Sequence, residues 1–303
     1  MRTITYTGTL TARSAISHVG DGGGRVHVFR REDVLTPQGQ VIKVPMVSGA
    51  VIRGRMRRLG AGMVHEALGG TPLPFNAVTA LAQGGILAET RTAREVLTGD
   101  KQARLCQTVP FLGLMGVVAG GRMMKGRLIV SKAIPVATET LHLLPDEDRE
   151  RLCAGGRRWP SVFELMNREG YTVGDDGGYC SSMVDDEGVE RLGQGGPMRF
   201  VVETLIAGTV LWHRVVGEDL RPDEADCLEE LMEVWSSSAQ VGGGRARGMG
   251  DVDARYVRVV RDVLGRECEP EVGNWRAAMT GVGNWRAAMT GDLRVVRDVL
   301  SWL

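Results

Sequence analysis

The chain has 303 residues, 43% of them hydrophobic, with 37 basic and 37 acidic side chains and a formal net charge of zero at pH 7. That length suits one large domain or two small ones around a sizeable core. The neutral total excludes a uniformly basic nucleic-acid coat, though local cationic patches remain open to it, and the lack of 18 consecutive apolar residues excludes a hydrophobic membrane span.

Residues 2–12 alternate as Thr3-Ile4-Thr5-Tyr6-Thr7 and predict a first strand, with none of the apolar centre of a signal peptide. Residues 18–43 carry turn signals at Gly20-Asp21-Gly22-Gly23-Gly24 and Thr36-Pro37-Gln38-Gly39. Ser48 is placed as an N-cap, and Ile52, Met56, Leu59 and Met63 behind it keep helical spacing beside a stripe of Arg53 and Arg57. Residues 71–100 read as helix and loop. A Leu/Phe/Gly/Met stretch follows at 105–118, and a strand at Arg127-Leu128-Ile129-Val130-Ser131.

From about 136 to 197 the composition turns polar and glycine-rich, through Asp146-Glu147-Asp148, Asp175-Asp176-Gly177-Gly178 and Gly193-Gln194-Gly195-Gly196, which predicts an irregular insertion. Strand alternation returns at Met198, Phe200, Val202 and Thr204. Gly208 then turns the chain into 210–216, so a hairpin is expected. Pro222 opens a helix with Asp223, Glu224 and Asp226 in its first turn and an apolar stripe of Leu228, Leu231, Met232 and Trp235. A glycine loop and a strand from 252 to 260 close the ordered pattern. In the tail, residues 272–281 are repeated letter for letter at 282–291, and 258–264 recur at 294–300. A ten-residue period belongs to no standard repeat architecture, so the copies read as a recent duplication or an assignment artefact. These shifts divide the chain at 1–135, 136–197, 198–260 and 261–303.

Two segments carry the chemistry. Ser48, Gly49, Arg53, Arg57 and Arg58 combine a helix N-terminus with arginines one turn apart, which suits adjacent phosphates as well as a solvated basic face. Gly243, Gly244, Arg245 and Arg247 alternate flexible backbone with charge, the pattern of an anion-binding nest or of a plain mobile loop. No Gly-Lys-Ser/Thr follows, so this is no Walker loop. Arg25 and His27 join the candidate anion contacts. His18 beside the glycine run is a candidate general acid or base, though with no visible partner it reads first as a hydrogen-bonded structural residue or an RNA contact; Asp21, Asp33, Asp175 and Asp176 are candidate metal or catalytic carboxylates whose default reading is solvated loop. Five cysteines (Cys106, Cys153, Cys180, Cys227, Cys268) show no CxxC spacing; reduced cytoplasmic thiols are expected, with no zinc and no other cofactor. Phenylalanine and tyrosine are few, so no base-stacking platform is expected and any RNA contact is read as backbone and phosphate.

The segment Pro45-Met46-Val47-Ser48-Gly49-Ala50-Val51-Ile52-Arg53-Gly54-Arg55-Met56-Arg57 resembles the Pro-Gly-Ser…Lys-Gly…Arg motif of the RAMP superfamily of CRISPR systems. Leu112-Gly113-Leu114-Met115-Gly116, Gly126-Arg127-Leu128-Ile129-Val130-Ser131-Lys132-Ala133, Ile206-Ala207-Gly208-Thr209-Val210-Leu211 and the glycine loop at 242–252 resemble further blocks of that family in its order. The nearest likeness is to the large backbone subunit of type IV complexes, then to type III backbone subunits. The resemblance implies an α+β fold: a modified ferredoxin-like (RRM-like) palm with finger and thumb insertions, the thumb within 136–197. It implies a non-catalytic subunit that polymerises head to tail along CRISPR guide RNA, presents it to a nucleic-acid target, and meets other effector-complex subunits without a membrane. The aspartate with which type III relatives cut target RNA would fall near Arg30, with Asp33 out of register. The alternative is a RAMP endoribonuclease using His18 or Asp33 on guide precursor or target RNA.

Overall fold

The alternation from Thr3 onward does what a period of two demands: strand β1 (Arg2–Ala12) buries Ile4, Tyr6, Leu10 and Ala12 on one face and leaves its threonines half-buried on the other. After it come β2 (Val26–His27), β3 (Arg31–Leu35), β4 (Val41–Pro45), α1 (Gly49–Ala67), α2 (Phe75–Gln83), α3 (Gly99–Thr108) and α4 (Pro110–Met115). The chain continues through β5 (Val117–Ala119), β6 (Arg122–Met124), β7 (Leu128–Val130), β8 (Ile134–Pro135), α5 (Asp146–Cys153), β9 (Met166–Val173) and β10 (Met198–Leu205). Last are β11 (Val210–Leu220), α6 (Pro222–Ser237), β12 (Val252–Arg261), β13 (Glu267–Glu269) and α7 (Leu293–Ser301). The computed structural model describes residues 1–20, 25–85, 98–119, 122–173, 198–269 and 293–301. Asp21 and the glycines at 22–24, Asp175, Asp176, Cys180, the glycines at 193–196 and the doubled segment at 272–291 lie outside the described residues.

The main sheet runs β13-β12-β1-β11-β7, antiparallel throughout, with β8 pairing β11 further along the same edge as β7. Numbered along the chain, β1, β7, β11 and β12 stand in the spatial order 4-1-3-2, α1 joining the first to the second and α6 the third to the fourth. That is the ferredoxin-like βαββαβ arrangement, an α+β palm as the resemblance implies. Pro222 takes the first helical position of α6, and the Glu224 carboxylate accepts the Arg221 N–H at 3.0 Å to cap it. Ile52 and Met56 of α1 and Leu228, Leu231, Met232 and Trp235 of α6 are fully buried in the core that also holds Ile4 and Tyr6.

The expected hairpin across Gly208 does not form. The turn is made, with the Gly208 N–H donating to the Ala12 carbonyl at 2.8 Å, but the two strands part. β11 pairs with β1, from Thr11↔Val210 onward, whereas β10 pairs with β9 and β2 in a separate sheet of order β2-β10-β9. Thus β10 belongs with the insertion rather than the palm, and the polar stretch read as irregular contains a full strand, Met166–Val173. The copies at 258–264 and 294–300 also part company. The first is strand and turn, with Val263 and Leu264 69% and 71% exposed; the second lies in α7, where Val299 and Leu300 are fully buried and the helix meets α2 and α3.

Candidate nucleic-acid interface

Ser48 is the N-cap of α1, yet its hydroxyl makes no capping bond. Its own N–H donates to Nε2 of His18 at 3.3 Å. His18 is 7% exposed, edge-on to the Phe29 ring, and its pKa is held below the ordinary value by burial first and by Arg30 second, Glu32 pulling the other way. Its Nε2 is occupied as an acceptor, which gives the ring a structural role at the start of α1. Gly49 is buried because α1 starts hard against β7: a Cβ there would strike the carbonyl oxygens of Val130 and Ser131. The missing side chain makes room for the protein's own backbone, and the expectation that it admits a phosphate is corrected.

The stripe of Arg53 and Arg57 also turns inward. Arg53 donates to the carbonyls of Leu128 and Met115, the latter at 2.7 Å. Arg57, 9% exposed, donates to the carbonyls of Ala80 (3.2 Å), Gly116 (2.8 Å) and Met115. Burial, then the neighbouring Arg53, lowers the Arg57 pKa to about 10. These guanidiniums staple α1 to the end of α2, the exit of α4 and the start of β7, supplying donors to the Met115 and Gly116 carbonyls at the exit of α4 and a second donor to Ala80, which also accepts the Gly84 N–H. Both guanidiniums, read from the spacing as phosphate ligands, are turned to backbone carbonyls instead of to solvent.

The other arginines of α1 are different. Arg58 is exposed, and Arg55 has a buried Nε with no hydrogen-bond partner. Burial lowers the Arg55 pKa, and Arg245 and then Arg58 lower it further. Two segments some two hundred residues apart thus bring three like charges together. No carboxylate among the described residues pairs with Arg55, Arg58 or Arg245. A shared support makes the meeting: the Ser17 carbonyl accepts the Gly243 N–H at 2.7 Å, while the next residue, His18, holds Ser48. Gly242 adopts φ +76° and lies so close to Ser17 that any Cβ would strike its carbonyl.

The glycine loop is not the open nest expected. Its Gly243 and Gly250 amides donate to Ser17 and Ala15, the amides of Arg247 and Met249 to the carbonyl of Gly244, and residues 245–247 form one 3₁₀ turn with Arg245 and Arg247 exposed. Arg25 and Arg30 are exposed nearby in the chain, the latter donating its N–H to the His18 carbonyl at 2.7 Å. Asp33 lies on β3 in an exposed pair with Lys43 at 3.3 Å. No three His, Cys, Asp or Glu side chains among the described residues come together as metal ligands, and no described helix is long and apolar enough to cross a membrane.

The fold also assembles a row of rings where none was expected. Tyr171 on β9 stacks on Phe200 of β10, its direct cross-strand neighbour, with centroids 5.3 Å apart and planes 16° from parallel. Phe200 stacks in turn on His27 of β2 at 6.0 Å and 22°. Arg247 lies over the far face of Tyr171, its Cζ 4.1 Å from the ring centroid. The three rings come from chain positions far apart, so no local pattern marks them; only the register of β2, β10 and β9 does.

No family model matches the chain, and no curated protein sequence does either. A chain of a solved structure described as a Type IV-B CRISPR Complex has a similar fold, with a TM-score of 0.53 and 23% identity over 93% of this chain and 100% of that one. The α+β architecture with its ferredoxin-like palm is therefore one found in a CRISPR-complex chain.

Proposed function

We propose that this chain is a non-catalytic subunit of a CRISPR effector complex, which binds guide RNA along its length, joins identical copies head to tail, and presents the guide to a nucleic-acid target beside other subunits. The observation that carries the reading is the meeting of Arg55, Arg58 and Arg245, three cations that no carboxylate among the described residues pairs. Nothing in the core requires like charges to be gathered there, and a polyanion is the ligand that offsets their repulsion. The fold shared with a type IV-B complex chain supports the same reading. A heterologous contact between identical subunits propagates as an open helix, which suits a linear guide. The non-catalytic part is supported by the burial of His18, the exposed pairing of Asp33 with Lys43, and an arginine, Arg30, near the place of the type III cleavage aspartate.

The test is RNA binding at several salt concentrations. Replacing Arg55, Arg58 and Arg245 together with Ala is expected to lower affinity for any single-stranded RNA and to flatten the slope of log K against log salt by about two. An unchanged slope in a folded triple variant removes these residues from the interface. RNA of uniform length in purified material, with filaments by electron microscopy, is the expected sign of assembly. Cleavage of guide or complementary RNA that is lost in Asp33→Asn or His18→Gln would favour the endoribonuclease instead.

A further inference from the structure

We infer that Tyr171 and Arg247 form a nucleobase slot, in which one unpaired base of single-stranded RNA lies between the tyrosine ring and the guanidinium. The inference rests on the RNA-binding reading above and adds to it a contact made with a base rather than with phosphate.

Tyr171 is only half-buried, and its hydroxyl has no hydrogen-bond partner among the described residues. Its ring is fixed from behind by Phe200, which His27 backs in turn. The flat, exposed guanidinium of Arg247 covers its open face, and no carboxylate among the described residues pairs with it. A planar cation on an aromatic face occupies the place a base takes in single-strand recognition, and bases stack equally well on tyrosine and on arginine.

Arg247 is also the movable member. The 3₁₀ turn that carries it is hydrogen-bonded in place, but its side chain is long and exposed, so the guanidinium can lift off the ring by rotamer change alone. Two residues back, on the same turn, Arg245 belongs to the cluster with Arg55 and Arg58. A nucleotide whose base enters the slot therefore has its phosphate beside cations that no described carboxylate pairs. Purely structural packing accounts for Tyr171 on Phe200 but not for this adjacency.

The experiment uses the full chain and a short single-stranded RNA containing 2-aminopurine, whose fluorescence falls on stacking. Wild-type protein is expected to quench the probe on binding. Tyr171→Leu is expected to lose the quenching and about tenfold in affinity, with the salt slope unchanged, while Tyr171→Phe keeps both. Photo-crosslinking of a 4-thiouridine RNA to the unaltered protein, mapped by mass spectrometry, gives a second readout that needs no variant. Crosslinks at residue 171 or 247 support the slot. Binding and quenching unaltered in Tyr171→Leu, or crosslinks confined to other segments, overturn the slot and leave the RNA-binding reading standing. Absence of any RNA binding by the wild-type chain overturns both.

Discussion

The two arginine-glycine segments look alike in sequence and are put to opposite uses. In the first, Gly49, Arg53 and Arg57 are consumed by the fold: the glycine admits the backbone of β7, and the arginines tie α1 to carbonyls at Ala80, Met115, Gly116 and Leu128. In the second, Arg245 and Arg247 stay at the surface on a turn that is itself hydrogen-bonded and anchored to Ser17. The division even cuts through a single helix, since Arg55 and Arg58 of α1 side with the glycine loop. A basic motif is thus two populations interleaved, one architectural and one available, and a phase of a single residue along the helix separates them.

Breaking the architectural half should have the largest effect. Arg57→Ala leaves the Gly116 carbonyl without its donor, while Met115 keeps Arg53 and Ala80 keeps the Gly84 N–H, and with the lost packing of a buried side chain it is expected to cost about 2–4 kcal/mol, read as a lowered urea midpoint. A loss below about 1 kcal/mol would erase the distinction between the two populations. Gly49→Ala must push α1 off β7 and is expected to cost about 2–3 kcal/mol. Its counterpart Gly243→Ala, where the nearest atom to a new Cβ is the Ser17 oxygen at 3.9 Å, should change stability by less than about 0.5 kcal/mol. Removing Arg55, Arg58 and Arg245 should leave the urea midpoint where it is while lowering RNA affinity, the reverse of Arg57→Ala.

The smallest effect expected is on pH dependence, and it probes the joint between the segments. His18 has a folded pKa below its ordinary 6.5, so protonation favours the unfolded chain. Its contribution is complete above pH 6.5 and is lost as pH falls toward the folded value. The fully buried His213, hydrogen-bonded through Nδ1 to the Tyr256 hydroxyl at 2.7 Å, is pushed down to about 3 by desolvation, so its loss extends from pH 6.5 toward 3. Each ring can add at most about 1.4 kcal/mol per pH unit. His18→Gln, which keeps an acceptor for the Ser48 N–H, should flatten the stability-pH curve just below pH 6.5 relative to wild type; an unchanged curve would take His18 out of the pH dependence.

The palm was legible because its strands and helices bury one face each and write that face into the sequence. Ile4, Tyr6 and Leu10 alternate, Ile52 and Met56 keep helical spacing, and Pro222 with Glu224 marks a helix start. The insertion was harder to read: β9 has Arg168, Glu169 and Gly170 at its centre, and nothing local says that Phe200 will face Tyr171 rather than a hairpin partner across Gly208. Arginine roles were illegible for a related reason. Spacing gives the face of a helix, but whether carbonyls or solvent lie opposite is decided by α4 and β7, elements more than fifty residues away.

The 4-1-3-2 order has a consequence for synthesis. β1 pairs on one side with β11, from residue 210, and on the other with β12, from residue 252. At bacterial and eukaryotic translation speeds, a ribosome that has delivered residue 12 works for roughly 10–40 s before the first of these partners exists. Until then a threonine-studded ribbon leaves the exit tunnel with both margins bare, so the palm closes only when nearly all of the described chain has been made. Nascent chains stalled before residue 252 should consequently bind holdase chaperones or one another through that ribbon, whereas chains released past residue 261 should not.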